Sequence, residues 1–176
     1  EGVATRELAC TLALAIADER GLSAAQVGDG VVLAQGADGY WRSLVQPQKG
    51  EYANEVLLLN APDALERLAL ARAEDPAALV MSTDGLIRLM LRLPGGEPHP
   101  AFLDPLVAFT RQSGDPAQAR RGLLAFLGSE RVCGRTDDDK TLLVALWPSS
   151  ADLATGAAAS GSAAEDPGAG GSPADG

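Results

Sequence analysis

The sequence predicts an α+β layered fold, and three observations predict it. The first half of the chain carries short apolar runs of alternating or continuous pattern, bounded by Gly and Asp, as strands do. After Gly85 the apolar period changes to i, i+3, i+4, i+7, as helices require. A last apolar run, Leu142 to Trp147, returns to strand, and strands, then helices, then a closing strand fit α+β layering.

Taken in order, "CTLALAIAD" (10–18) alternates Leu12, Leu14 and Ile16 with Ala13, Ala15 and Ala17, which suits a buried strand packed on both faces. "AAQVGDGVVLAQ" is a second apolar run, interrupted by Gly28-Asp29-Gly30. "GADG" (36–39) is a turn signal before "YWRSLVQ", so residues 26–46 read as a hairpin. "LERLALAR" (65–72) and "AALVMST" (77–83) flank "AEDP" as a strand–turn–strand unit. Leu86, Leu89, Met90 and Leu93 predict a helix starting after Gly85 and stopping at Pro94. Phe102, Leu103, Leu106, Val107 and Thr110 predict a second. In "DPAQARRGLLAFLGSE", Asp115 is placed as N-cap, with Pro116 in the first turn and Gln118 three residues after the cap. The apolar face of that third helix is Ala119, Leu123, Phe126 and Leu127, with "ARRG" (119–122) contributing its wet side. There is no internal repeat.

At 176 residues and 46% hydrophobic content, the chain holds about one domain with a real core. Aromatic content of 4% leaves that core to Leu, Val and Ala. The expected domain is 1–148. Residues 149–176 are dominated by Ala, Gly and Ser and read as a disordered acidic tail or linker. The chain begins with Glu, followed closely by a strand-like run, which reads as a sequence cut from something longer. Net charge is −10, with no basic patch and no aromatic interleaving, which makes a poor nucleic-acid binder; no nucleic-acid partner is expected, and among cationic partners divalent metal ions qualify. Two cysteines, Cys10 and Cys133, make neither a disulfide framework nor a CxxC pair, and suit a reduced, cytoplasmic domain. No run approaches 18 uninterrupted apolar residues, so no membrane segment is expected.

Asp29 in "VGDG", Asp84 in "STDGL" and Asp138 in "RTDDDKT" each abut a strand-like run. A carboxylate at a strand end stands on rigid scaffold, and a neighbouring Gly lets the backbone turn and a ligand come close. Should these ends converge, they form an all-oxygen set of the kind that takes Mg²⁺ or Mn²⁺. Asp-Gly is also a common turn dipeptide, and three adjacent Asp suit a solvated turn, so the sequence alone leaves both readings open. An EF-hand is excluded because "DDD" lacks alternating ligands, a central Gly and a distant Glu. A cysteine-phosphatase loop is excluded because Ile16 and Asp139 stand where Arg would follow Cys10 and Cys133. His99, the sole histidine, sits in "GGEPHPAF" and reads as a surface loop residue rather than a zinc ligand or triad member.

In the order "ACTLALAIA", "AQVGDGVVL", "VMSTDGL" and "RTDDDKTLLVAL", the chain resembles the metal-dependent serine/threonine phosphatases of the PP2C (PPM) family, bacterial type, over residues 8–147. The family shows a Gly-(Ser/Cys)-Thr strand start, a Gly-Asp turn, a Ser-Asp-Gly-Leu strand end and an Asp-Asn-x-Thr strand start. "PQKGEYANE" (47–55) looks like a segment that some bacterial members carry. The resemblance implies a four-layer α-β-β-α sandwich, here partial. It implies Asp84 and Asp138 as metal ligands, Asp29 as a ligand of a more loosely held third ion, and Asp139 and Thr141 at the family's Asn and Thr positions. Asp137 is expected to be a neighbour rather than a ligand.

The resemblance further implies hydrolysis of phosphoserine and phosphothreonine in phosphorylated protein substrates. In the implied mechanism, two Mn²⁺ or Mg²⁺ ions about 3.5–4 Å apart activate a water, with no covalent intermediate. The family's Arg-containing first strand with its Glu-Asp, and its Asp-Gly-x-Gly-Gly segment, are missing from the sequence and would lie upstream of Glu1. On that reading the chain as it stands holds half a metal site. The competing expectation is a degenerate, non-catalytic phosphatase-like domain that binds or regulates a phosphoprotein.

Overall fold

In the computed structural model, which describes residues 4–18, 21–48 and 56–148, the apolar runs fold as nine strands and four α-helices. The strands are β1 (Leu12–Asp18), β2 (Gly21–Val27), β3 (Val31–Gly36), β4 (Trp41–Val45), β5 (Ala69–Ala73), β6 (Pro76–Ser82), β7 (Leu91–Arg92), β8 (Glu97–Pro98) and β9 (Leu142–Leu146). The helices are α1 (Ile87–Met90), α2 (Pro100–Ser113), α3 (Pro116–Leu127) and α4 (Glu130–Cys133), with a 3-10 turn Asp84–Leu86 leading into α1. This is the expected α+β class. The tail 149–176 and residues 49–55 lie outside the described residues.

Two antiparallel sheets stack, one ordered β1-β2-β5 and the other β4-β3-β6-β9. Alternation sorts the side chains of β3 and β6 into two cores. Val32, Ala34 and Leu79 meet Leu22 and Ala24 of the facing sheet, while Val31, Leu33, Ala78 and Val80 face the helices. Leu86, Leu89, Leu103, Val107 and Val132 complete that helical core. Asp115 caps α3 as expected, accepting from the Ala117 and Gln118 amides at 2.9 and 3.2 Å. Of the predicted α3 face, Ala119 is buried and Leu123, Phe126 and Leu127 are half-buried.

Several expectations are corrected. β1 is not packed on both faces. It is an edge strand whose alanines face the sandwich, while Leu14 and Ile16 remain 45% and 63% exposed. Leu70 of β5, on the same outer face, is 72% exposed. Among the described residues, α2 and α3 cover only the four-stranded sheet, so three layers are seen and the fourth is not. The 26–46 run is not one hairpin: Gly28-Asp29-Gly30 carries the chain from one sheet to the other, and the hairpin is β3–β4 alone. The 65–72 run is strand only from Ala69, and β5 and β6 join different sheets across Asp75. The helix after Gly85 ends at Met90 rather than at Pro94. There the Met90 carbonyl accepts from the His99 amide, and Leu91–Arg92 pair with Glu97–Pro98 as a short hairpin.

Candidate active site

Backbone pairing brings the three predicted carboxylates to one edge of the four-stranded sheet. Val31 opens β3 opposite Ser82 at the end of β6, and Ser82 lies opposite Leu142 at the start of β9. Asp29, Asp84 and Asp138 stand just beyond those three adjoining ends. Antiparallel order thus gathers residues distant in sequence without any local signal.

Each carboxylate has its own support. Gly28 turns with φ of +114°, and a Cβ there would fall 2.4 Å from the Thr11 side chain. The fully buried Gln26 donates through Nε2 to the carbonyls of Gly28 and Gly30, both at 3.0 Å. Gln48 accepts from the Gly28 amide at 3.1 Å and returns its own amide to the Gly28 carbonyl at 3.0 Å. Asp29 is thereby held half-buried in a braced turn. Asp84 opens the 3-10 turn and is exposed. Asp138 is exposed as well, its amide donating to the Thr136 hydroxyl at 3.3 Å.

Thr83 ties the second and third acidic segments together. Its hydroxyl donates to the Asp139 carbonyl at 3.2 Å and accepts from the Thr141 amide at 3.1 Å. Beside it the buried Gly85 lies so close to the acidic loop that a Cβ would stand 2.3 Å from the Asp139 carbonyl oxygen.

The three carboxylates line one cavity of about 580 Å³, with Asp137, Arg88 and Arg135 also on its wall. Burial pushes the Asp29 carboxyl above its ordinary pKa, a backbone hydrogen bond opposes this, and the charges of Asp84 and Asp138 add to the rise. That mutual repulsion is the electrostatic sign of acids converging. Their chemistry suits a hard divalent ion, although among the described residues no group of three His, Cys, Asp or Glu is set to hold one. The set fits in kind and is not a closed cage.

Sequence reasoning treats Asp137 as a bystander, yet it shares the cavity wall, whereas Asp139 serves the fold through its carbonyl. Thr83, Gln26, Arg88 and Arg135 were missed. Thr83 had one available signal, a hydroxyl directly between a strand end and a candidate ligand. Neither Arg88 nor Arg135 makes an ion pair with another described residue. His99 is not a surface loop residue. It is half-buried at the N-cap of α2, with Nδ1 3.1 Å from the Leu89 carbonyl oxygen. Cys10 and Cys133 are exposed free thiols.

Residues 1–128 match the sequence model of a family described as "Protein phosphatase 2C", a match that ends before the Asp138 segment. Over 153 residues the chain is 38% identical to "Serine/threonine-protein phosphatase 3" of Escherichia coli (strain K12). That alignment takes in 82% of this chain and 58% of the relative, so the chain spans little more than half the relative's length. A weaker likeness in shape, with a TM-score of 0.42 and 19% identity, is to the phosphatase domain of the cell fate determinant SpoIIE from Bacillus subtilis. It covers 77% of this chain and 57% of that one. By the extent of the family match and the identity to the Escherichia coli protein, the chain belongs to the protein phosphatase 2C family.

Proposed function

We propose that the intact protein hydrolyses phosphoserine and phosphothreonine esters in phosphorylated proteins, with Mn²⁺ or Mg²⁺ held by Asp84 and Asp138 and a looser share taken by Asp29. The observation that carries this reading is the register β3-β6-β9, which delivers three separately folded carboxylates to one cavity. The family membership and the name of the Escherichia coli relative support the substrate class. The remaining ligands would come from the part of the relative's length that this chain does not span.

When bound, the divalent ions supply water activation and charge neutralisation at phosphorus. The chain's own residues do the rest. The Gln26 brace and the Thr83 tie keep the carboxylates from drifting apart, and Arg88 and Arg135 offer guanidinium charge to phosphoryl oxygens. The exposed free thiols suit a reducing compartment, and a cytoplasmic site of action belongs to the same proposal. No helix among the described residues is long and apolar enough to cross a membrane.

Turnover of p-nitrophenyl phosphate by the intact protein, with and without Mn²⁺, tests the reading. Loss of about 100-fold or more in kcat/KM is expected for both Asp84→Asn and Asp138→Asn, at or above the roughly 10–100-fold that losing even an outer-shell partner of a metal ligand costs. Undiminished turnover in the presence of chelator overturns it. The absence of a closed three-acid group among the described residues favours one other reading, a non-catalytic phosphatase-like domain that binds or regulates a phosphoprotein. Tight phosphopeptide binding without turnover in Mn²⁺ marks that outcome.

A further inference from the structure

Beside the acidic cavity, α2, α3 and α4 enclose a second one of about 480 Å³. Its wall is apolar, built mainly from Phe102, Leu106, Phe109, Leu123, Phe126 and Val132. The Phe102 and Phe126 rings meet at 5.8 Å between centroids, tilted by 46°. Gly122 is a condition of this shape, because a Cβ there would stand 2.2 Å from Cζ of Phe109. Phe109 remains 40% exposed, so the apolar wall reaches solvent.

Two cations mark the cavity, Arg131 and Arg135, and neither is paired with a described acid. Arg135 also lines the acidic cavity, and α1 contributes to both, with Leu89 on the apolar wall and Arg88 on the acidic one. The two cavities are therefore neighbours that share Arg135. An apolar space next to the candidate phosphate site, with positive charge unpaired by any described acid on its wall, complements a chain that carries a phosphate and a large apolar side chain close together.

We propose that the apolar cavity between α2, α3 and α4 is a specificity subsite that takes an aromatic or large aliphatic side chain of the phosphorylated substrate, near the phosphoresidue seated by Arg135. This rests on the phosphatase reading for the identity of the phosphate site, and it adds a substrate preference which that reading does not contain. Phosphoproteins with Phe or Leu close to the phosphothreonine are then preferred over those with Ala or Asp there. The apolar group would leave water for the Phe102–Phe126 wall, while Arg135 faces the phosphate.

The test uses fluorescein-labelled phosphothreonine peptides with Phe walked through each flanking position of an Ala background. Their anisotropy is titrated against the intact protein, and p-nitrophenyl phosphate turnover is followed separately. One position is expected at which Phe binds about tenfold more tightly than Ala, a fraction of what complete burial of such a side chain is worth. Leu123→Trp, which narrows the cavity beside Phe126, should bring that ratio close to one. Phe109→Ala, at a partly exposed site that spares the fold, should lower it as well. A flat walk, or a ratio untouched by both variants, overturns the subsite whether or not the protein turns over p-nitrophenyl phosphate. A preference in binding with no turnover keeps the subsite and sinks the catalytic reading.

Discussion

Gly85→Ala is the sharpest probe of how the site is held. The added methyl would lie 2.3 Å from the Asp139 carbonyl oxygen, 3.2 Å from its carbon and 3.3 Å from Cβ of Asp138. Ordinary carbon contacts lie at about 3.5 Å, so the acidic loop must retreat by about 1 Å. The nearest atom is backbone, and the loop is tied to Thr83 at that same carbonyl and again at the Thr141 amide, so no side chain can simply swing away. Overpacking of this kind costs about 1–3 kcal/mol. If Asp84 and Asp138 share an ion, a displacement of about 1 Å also lowers kcat/KM by about 100-fold. Urea unfolding of the intact protein reads the first quantity and Mn²⁺-dependent p-nitrophenyl phosphate turnover the second. Stability within about 0.5 kcal/mol of wild type, together with unchanged turnover, would show that the loop does not depend on this close approach.

Other consequences can be measured in parallel. Gln26→Leu strips two backbone carbonyls of the buried donor that braces Asp29 and should lower stability by about 1–3 kcal/mol, read from urea midpoints; a shift of less than about 0.5 kcal/mol removes Gln26 from the account. Asp38 is held at a pKa of about 2, against an ordinary 3.8, by hydrogen bonds from the Arg42 side chain and then from the Tyr40 amide. Because its folded pKa is the lower one, its contribution is complete above 3.8 and drains away as pH falls towards about 2; Asp38→Asn should flatten that part of the urea-midpoint profile. Leu70→Glu, on the bare outer sheet face, should raise the solubility of the isolated chain and destabilise the intact protein by about 1 kcal/mol or more, if the unspanned part of the family fold covers that face; equal stabilities in the intact protein speak against such a cover.

Much of this is legible in the sequence. Gly-Asp-Gly and Thr-Asp-Gly mark chain reversals by composition alone, and the apolar runs beside them could only be strands or short buried helices. Their meeting was not legible, because it depends on the pairing of Val31 with Ser82 and of Ser82 with Leu142, and register between distant segments leaves no local trace. The "LIRLML" run misled because the apolar spacing at Leu86, Leu89 and Met90 is truly helical, while Leu93 leaves the core once the chain turns into β7. The alternation in "TLALAIA" was read correctly as strand, but which face would be bare depends on what else is present to cover it. Arg88 and Arg135 stand four and three residues from Asp84 and Asp138, but an isolated Arg beside an acidic turn has no spacing that marks it as part of a site.

The shared sheet edge also says which changes of length the site can absorb. The strand pairing, and not the length of the connections from β4 to β5 and from α1 to the acidic loop, sets the spacing of the paired strand ends, although Gln48 in the first and the core helices in the second make contacts that must be kept. Insertions between those contacts can be large, because the entropy of closing a loop grows only slowly with its length. A single deletion inside β6 is another matter: it slides one strand against two neighbours and turns alternate side chains to the opposite core. The carboxylates are thus fixed by counting along three strands and by the Gln48 brace on the Asp29 turn, a division that lets the rest of the surroundings diversify while the acids stay where they are.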